Sequence, residues 1–147
     1  MNDVLKIEFI DEKSFIAYYI TKDIYENEDD YKILFKYLDK ELEKKYKYIM
    51  HGYYDVYIYI NNGIYVIEFD YIDDYGRKDF NVVLFLNSKI LYEFYDMDFI
   101  NDKKIYYDNK FYIEISKVIG NIRLFEYGNI VYGKEVDNII KNGKTII

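Results

Sequence analysis

Carboxylates and phenols crowd one short stretch of this chain. The segment GYYDVYIYINNGIYVIEFDY, residues 52–71, sets Asp55, Glu68 and Asp70 among tyrosines, and Asp73 and Asp74 follow directly. Two chemistries use such residues. Aspartates at 55, 70, 73 and 74 could ligate a divalent cation, with Lys78 stabilising charge that develops on a phosphodiester, as in metal-dependent phosphodiesterases and nucleases. Alternatively, tyrosines supply large rigid contact area at low entropic cost, and carboxylates beside them select a cationic partner. The second use makes Tyr53, Asp55, Tyr57, Tyr59, Glu68, Asp70, Asp73 and Asp74 a partner-binding surface.

Other chemistry has little to stand on. His51 is the only histidine, so one chain cannot build a two-histidine metal site, and its place at a predicted helix C-terminus suits an imidazolium against the dipole. The absence of cysteine removes thiolate nucleophiles, disulfides and Cys-type zinc or iron–sulfur sites. Ser14, Ser88 and Ser116 have no G-x-S-x-G around them, and the glycines at 120, 128, 133 and 143 are too spread for a phosphate loop. Asp96-Met97-Asp98 with Asp102 has the outline of a calcium loop, but Ile100 and Asn101 stand where a ligand and a glycine are needed. Acid-x-Lys triplets at Glu43–Lys45 and Asp102–Lys104 are expected by chance in a chain that is 32% charged. No catalytic residue, cofactor or resident metal is assigned, and the expectation is a protein that is not an enzyme.

The totals narrow the class. At 147 residues the chain suits one domain, residues 1–147, and buries about two-thirds of its unfolded surface. MNDVLKIEFI lacks the basic and apolar regions of a secretory signal, and no apolar run reaches the length of a membrane helix. A cytoplasmic location is therefore expected. Alanine occurs once, proline, tryptophan and glutamine never, while Ile, Lys, Asn and Tyr abound. Those four have AT-rich codons, so part of the tyrosine excess reflects base composition. The net charge of −7 is uneven: residues 52–100 hold nine acidic and three basic side chains, together with nine of the 21 tyrosines.

Period and turn signals indicate which elements position these groups. Val4–Ile10 and Ser14–Ile20 read as a hairpin around Asp11-Glu12-Lys13. Tyr31, Leu34, Phe35, Leu38, Leu42 and Tyr46 recur at helical spacing, which predicts a helix over 28–48 with Asn27 as N-cap and Gly52 as its stop. Tyr53–Ile60 and Ile64–Tyr71 flank Asn62-Gly63, a strong hairpin signal that sets 61 opposite 64, 59 opposite 66, 57 opposite 68 and 55 opposite 70. Phe80–Leu86 and Ile90–Tyr95 follow around Asn87-Ser88-Lys89, then Lys104–Tyr107 and Phe111–Ser116 around Asp108-Asn109-Lys110. A short helix at Lys134–Lys141 ends at Gly143. The order implies an α+β fold, a mainly antiparallel sheet with the long helix on one face.

Alternation then sorts the 53–71 hairpin into two faces. Tyr54, Val56, Ile58, Ile60, Tyr65, Ile67, Phe69 and Tyr71 form an apolar set for the core. Tyr53, Asp55, Tyr57, Tyr59, Ile64, Val66, Glu68 and Asp70 form an aromatic and acidic set. That second face is open to a partner unless another segment, such as Ile90–Tyr95, covers it. Asp55 opposite Asp70 is a like-charge pair, unfavourable unless splayed into water or bridged by a cation.

The texture of GYYDVYIY…GIYVIEF and LFEYGNIVYGKEVDNIIKNG resembles small Tyr/Ile/Lys-rich proteins of low-GC Gram-positive bacteria and their phages. The resemblance implies a source and brings no activity with it. The function expected is a small acidic binding domain that lays its tyrosine-bearing face on a protein with a basic surface, such as a nucleic-acid-binding effector or nuclease. Immunity proteins, antitoxins and phage proteins that block CRISPR effectors are antagonists of this class. Direct binding to nucleic acid has the wrong overall sign, and no membrane partner is expected. A homodimer through the tyrosine face is a further option, burdened by carboxylates 55, 68 and 70 meeting their own copies.

Overall fold

The computed structural model describes residues 3–21, 27–61, 63–74, 76–94, 105–114 and 129–145. β1 (Asp3–Phe9) and β2 (Phe15–Ile20) pair as an antiparallel hairpin. Its turn is held by the Asp11 carboxylate, which accepts from the Lys13 and Ser14 N–H groups at 2.8 and 2.7 Å. α1 (Glu28–Tyr46) starts at a reciprocal cap: Asn27 accepts from the Asp30 N–H, and Asp30 accepts from the Asn27 N–H. It stops two residues before the expected end and by another device. Lys47 turns left-handed at φ 53°, and its N–H returns to the carbonyls of Glu43 and Leu42. Gly52 serves the following turn instead, where φ is +85° and a Cβ would collide with the Asp73 carbonyl. His51, four residues past the cap, is exposed and faces Asp74 rather than the helix end.

β3 (Tyr53–Asn61) and β4 (Ile64–Asp73) pair in the expected register, with 57 opposite 68 and 55 opposite 70. A bulge at the open end sets Tyr53 opposite Asp73 and leaves Ile72 as the extra residue, 49% exposed. The succession of hairpins breaks at β5 (Asp79–Phe85). It does not pair with β6 (Leu91–Phe94) but runs parallel to β3, on the side of β3 away from β4. The first sheet thus has the order β1-β2-β4-β3-β5. β6, β7 (Ile105–Tyr107), β8 (Phe111–Glu114), β9 (Asn129–Val131) and β10 (Lys144–Thr145) form a second, antiparallel sheet, ordered β10-β7-β8-β6-β9. α2 (Lys134–Asn142) precedes β10. The calcium-like loop at 96–102 and the Asp102–Lys104 triplet lie outside the described residues.

The fold is α+β, with two sheets where one was expected. Three cores bind the elements in sequence. Tyr31, Leu34, Phe35, Leu38 and Leu42 of α1 pack on Phe15, Ala17, Tyr54, Val56, Ile58, Ile67 and Phe69 of the first sheet. The opposite face of that sheet offers Ile16, Tyr18, Ile64 and Val66 to Ile90, Tyr92 and Ile113 of the second. Behind these, Leu91, Tyr106, Tyr112 and Val131 receive Val136 and Ile139 of α2. The layers therefore run helix, sheet, sheet, helix. Rings dominate the first core: Phe15 stacks on Phe69 at 4.6 Å, and Phe35 lies 4.8 Å from Phe80. Tyr54 is fully buried, its hydroxyl bonded to that of Tyr48 at 3.1 Å, and burial pushes it far above its ordinary pKa. Among the described residues, no helix is long and apolar enough to cross a membrane.

Burial separates residues that alternate along one strand. Ile58→Ala and Tyr54→Ala should each lower stability by about 2–5 kcal/mol, the range for buried truncations. Tyr57→Ala, half-buried beside the acidic patch, should stay within about 1 kcal/mol. Chemical denaturation of the three variants checks this, and equal losses would mean that the faces are misassigned.

Candidate partner-binding surface

The second sheet covers only part of the aromatic and acidic face. Val66 is fully buried and Ile64 nearly so beneath it, and Tyr59 goes with them. The Tyr59 ring stacks on Phe85 at 4.7 Å with 7° between planes, and it lies 5.0 Å from Tyr132. Tyr59 is thus held between Phe85 and Tyr132 while remaining half-buried. The expectation that Ile90–Tyr95 covers this face holds for Ile90 and Tyr92 over Ile64 and Val66, and fails toward the bulged end of the hairpin. There Tyr53, Asp55, Tyr57, Glu68 and Asp70 remain half-exposed.

β5 supplies the border of the uncovered part. Parallel pairing puts Asn81 beside Asp55 and Val83 beside Tyr57. The Asn81 side chain donates to the Asp55 carboxylate at 3.2 Å. On the other flank, the Tyr132 hydroxyl donates to Glu68 at 2.7 Å and so reaches into the patch from the second sheet's side. Burial, then Glu68, holds that hydroxyl protonated far beyond the ordinary tyrosine range. Asp70 stands between Glu68, two residues along the same strand, and Asp55 across the ladder. Burial disfavours its charge first, and the Glu68 carboxylate next, so its pKa is pushed up to about 6. Among the described residues, no lysine, arginine or histidine forms an ion pair with Asp55, Glu68 or Asp70.

The remaining aspartates go elsewhere. Asp74 joins Lys13 at 3.6 Å, His51 at 3.4 Å and Tyr71, whose ring lies 4.5 Å below the Lys13 ammonium. The Tyr71 hydroxyl, and then Lys13, lower the Asp74 pKa, the reverse of the situation at Asp70. Asp73 sits on the bulge opposite Tyr53, at the margin of the patch. Lys78 is tied to Asp39 of α1 and does not face Asp55 or Asp70. Among the described residues, no three His, Cys, Asp or Glu side chains are grouped to hold a metal ion. The expected surface is therefore split: Tyr53, Asp55, Tyr57, Glu68 and Asp70 come together, Asp73 borders them, Tyr59, also half-buried, is engaged by Phe85 and Tyr132, and Asp74 belongs to a separate, compensated cluster.

Sequence reasoning missed Asn81 and Tyr132. Neither carries a local signal: Asn81 reaches Asp55 only through a parallel pairing, and Tyr132 reaches Glu68 across 64 residues of chain.

The raised Asp70 pKa has a definite linkage consequence. The folded state holds the proton more tightly than the unfolded chain, so this group's contribution is fully present below about pH 4 and is lost as pH rises through about 6. Asp70→Asn, which cannot ionise, should raise the melting temperature at neutral pH and leave it little changed in mild acid. A melting series across that window checks the sign; an Asp70→Asn variant destabilised equally at all pH values would contradict it.

No protein family matches the chain, and neither a curated protein nor a solved structure is significantly similar to it.

Proposed function

We propose that this chain is a non-catalytic binding domain whose uncovered acidic and aromatic patch captures a basic protein surface. The observation that carries the reading is the set Asp55, Glu68 and Asp70: three carboxylates on one sheet face, with no cationic partner among the described residues. The tyrosine hydroxyl and the amide that reach this set are neutral. A lysine or arginine of a partner, seated between Asp55 and Asp70, would relieve the repulsion and let Asp70 ionise. Tyr53 and Tyr57 flank that position and offer the rigid apolar area on which interface affinity concentrates.

The charge pattern favours a protein over nucleic acid as the partner, because the net charge of −7 repels phosphate while the patch attracts ammonium and guanidinium. Proteins that handle nucleic acids display such basic surfaces, so by class the reading extends to an antagonist of an effector or nuclease. Binding would release a proton near the Asp70 pKa of about 6, and affinity would fall as pH drops below that value.

The test is affinity measured against a panel of basic nucleic-acid-binding proteins, with acidic proteins as controls, at low and high salt. A basic partner should bind the parent and weaken with salt. Tyr57→Ala should cost about 1–3 kcal/mol of binding free energy, and Glu68→Lys should abolish capture. Failure of every basic partner, or binding indifferent to both substitutions, would overturn the proposal.

A further inference from the structure

The three carboxylates of the patch differ in the donors that reach them. Asp55 accepts from the Asn81 amide at 3.2 Å, and Glu68 accepts from the Tyr132 hydroxyl at 2.7 Å. Asp70 has no such donor: among the described residues its hydrogen-bonding neighbour is the Glu68 carboxylate. Two carboxyl groups this close resist carrying two charges, and one proton shared between them relieves the repulsion. A hydrogen bond donated to a carboxylate favours its charged form, so the group that has the donor gives up its proton first.

We propose that Tyr132 is a positioning residue of the patch, whose hydroxyl keeps Glu68 charged and so makes Asp70 the group that holds, and on capture releases, the proton. The phenol is well placed for this. Tyr132 lies between β9 and α2, and its ring is set against Tyr59, which in turn stacks on Phe85. The second sheet therefore fixes a donor on one carboxylate of the pair and none on the other. The remaining neighbours do not reverse this preference. Asp55 faces Asp70 from β3 and Asp11 faces it from the β1–β2 turn, and both disfavour its charge. Lys13 of that turn is held by Asp74. Asn81 of β5 and the Tyr59 phenol are neutral, and the Tyr18 hydroxyl, facing Glu68 from β2, donates to Glu8 at 3.4 Å. The pair thus has two states. With the proton on Asp70 it carries one negative charge; once the proton passes to water it carries two and accommodates an ammonium or guanidinium. That last consequence rests on the reading of the patch as a site for a basic protein.

Carboxyl carbon-13 shifts of the full chain, followed by NMR from mild acid to neutral pH, test the inference without any partner. In the parent, Asp70 should titrate near pH 6 while Glu68 stays charged through that step. Tyr132→Phe keeps the ring against Tyr59 and removes only the donor. It should raise the share of the proton on Glu68, relative to Asp70, by about tenfold and move the midpoint of the step upward. Glu68→Gln removes the neighbouring charge and should move the Asp70 midpoint downward. A parent in which Glu68 takes as much of the step as Asp70, a Tyr132→Phe variant that titrates like the parent, or an Asp70 midpoint indifferent to Glu68→Gln would overturn the inference. Capture of a basic partner should begin at higher pH in Tyr132→Phe than in the parent. Titrations as expected with no basic partner bound would overturn only the reading of the patch, whereas capture with the proton seated on Glu68 would overturn only the role of Tyr132.

Discussion

The β3–β4 hairpin is buried along one face and over part of the other, and the rest of the molecule is organised around that burial. Val56, Ile58, Ile67 and Phe69 build the core under α1, while Ile64 and Val66, on the opposite face of the same hairpin, build the core under the second sheet. A slip of one residue would exchange the two sets, carrying Asp55, Glu68 and Asp70 under the helix and bringing apolar residues to the water. Burying unpaired carboxylates costs several kcal/mol each, so the register is strongly specified. The turn at Gly63, with φ +87°, sets that register, and the Thr21 N–H donates to its carbonyl at 3.0 Å, which fastens the end of β2 to the same point. α1, the second sheet and β5 each attach to a surface that this one pairing defines.

Covering half of a sheet face creates a boundary, and the acidic patch lies on it. Residues well inside the boundary are apolar, and residues well outside it can remain charged in water. Glu68 and Asp70 are between the two conditions, partly desolvated but with only neutral donors supplied by the second sheet. The cluster around Asp74 shows what the fold does with an aspartate that it compensates: an ammonium, an imidazole and a phenol converge there, and the carboxylate is stabilised in its charged form. The contrast between two acidic sites on one hairpin is the electrostatic core of the functional reading. Local frustration of this kind persists where surrounding packing overrides it, and binding sites are where such exceptions collect.

Much of the architecture was legible from the sequence because its signals are local. The period of Tyr31, Leu34, Phe35, Leu38 and Leu42, the cap at Asn27, the turn before Ile64 and the alternation of 53–71 each depend on residues within one or two turns of chain. The helix stop was misread for the same reason. Gly52 is the residue type that ends helices, but Lys47 accepted the left-handed conformation first, and Gly52 was required by the close approach of Asp73. The surface was legible only in part. Alternation correctly separated Asp55, Tyr57, Glu68 and Asp70 from their apolar neighbours, yet treated Tyr57 and Tyr59 as equivalent, although only Tyr59 stacks on Phe85 and packs against Tyr132 and the core between the sheets.

What the sequence alone determined is therefore both helices and the longer strands, though not the short β9 and β10, together with the faces of the 53–71 hairpin and the pairing of β3 with β4, since period, caps and tight turns are fixed by neighbours in the chain. Tertiary structure decided three other matters: the parallel seat of β5, the division of the strands into two sheets, and the line at which the second sheet stops. Those choices depend on contacts such as Tyr132 to Glu68 and Asn81 to Asp55, made across long stretches of chain by residues whose types are unremarkable where they stand. The acidic patch owes its composition to the first kind of information and its exposure to the second. Side-chain alternation is a property of the strand itself, whereas burial is a property of whatever comes to lie on top of it.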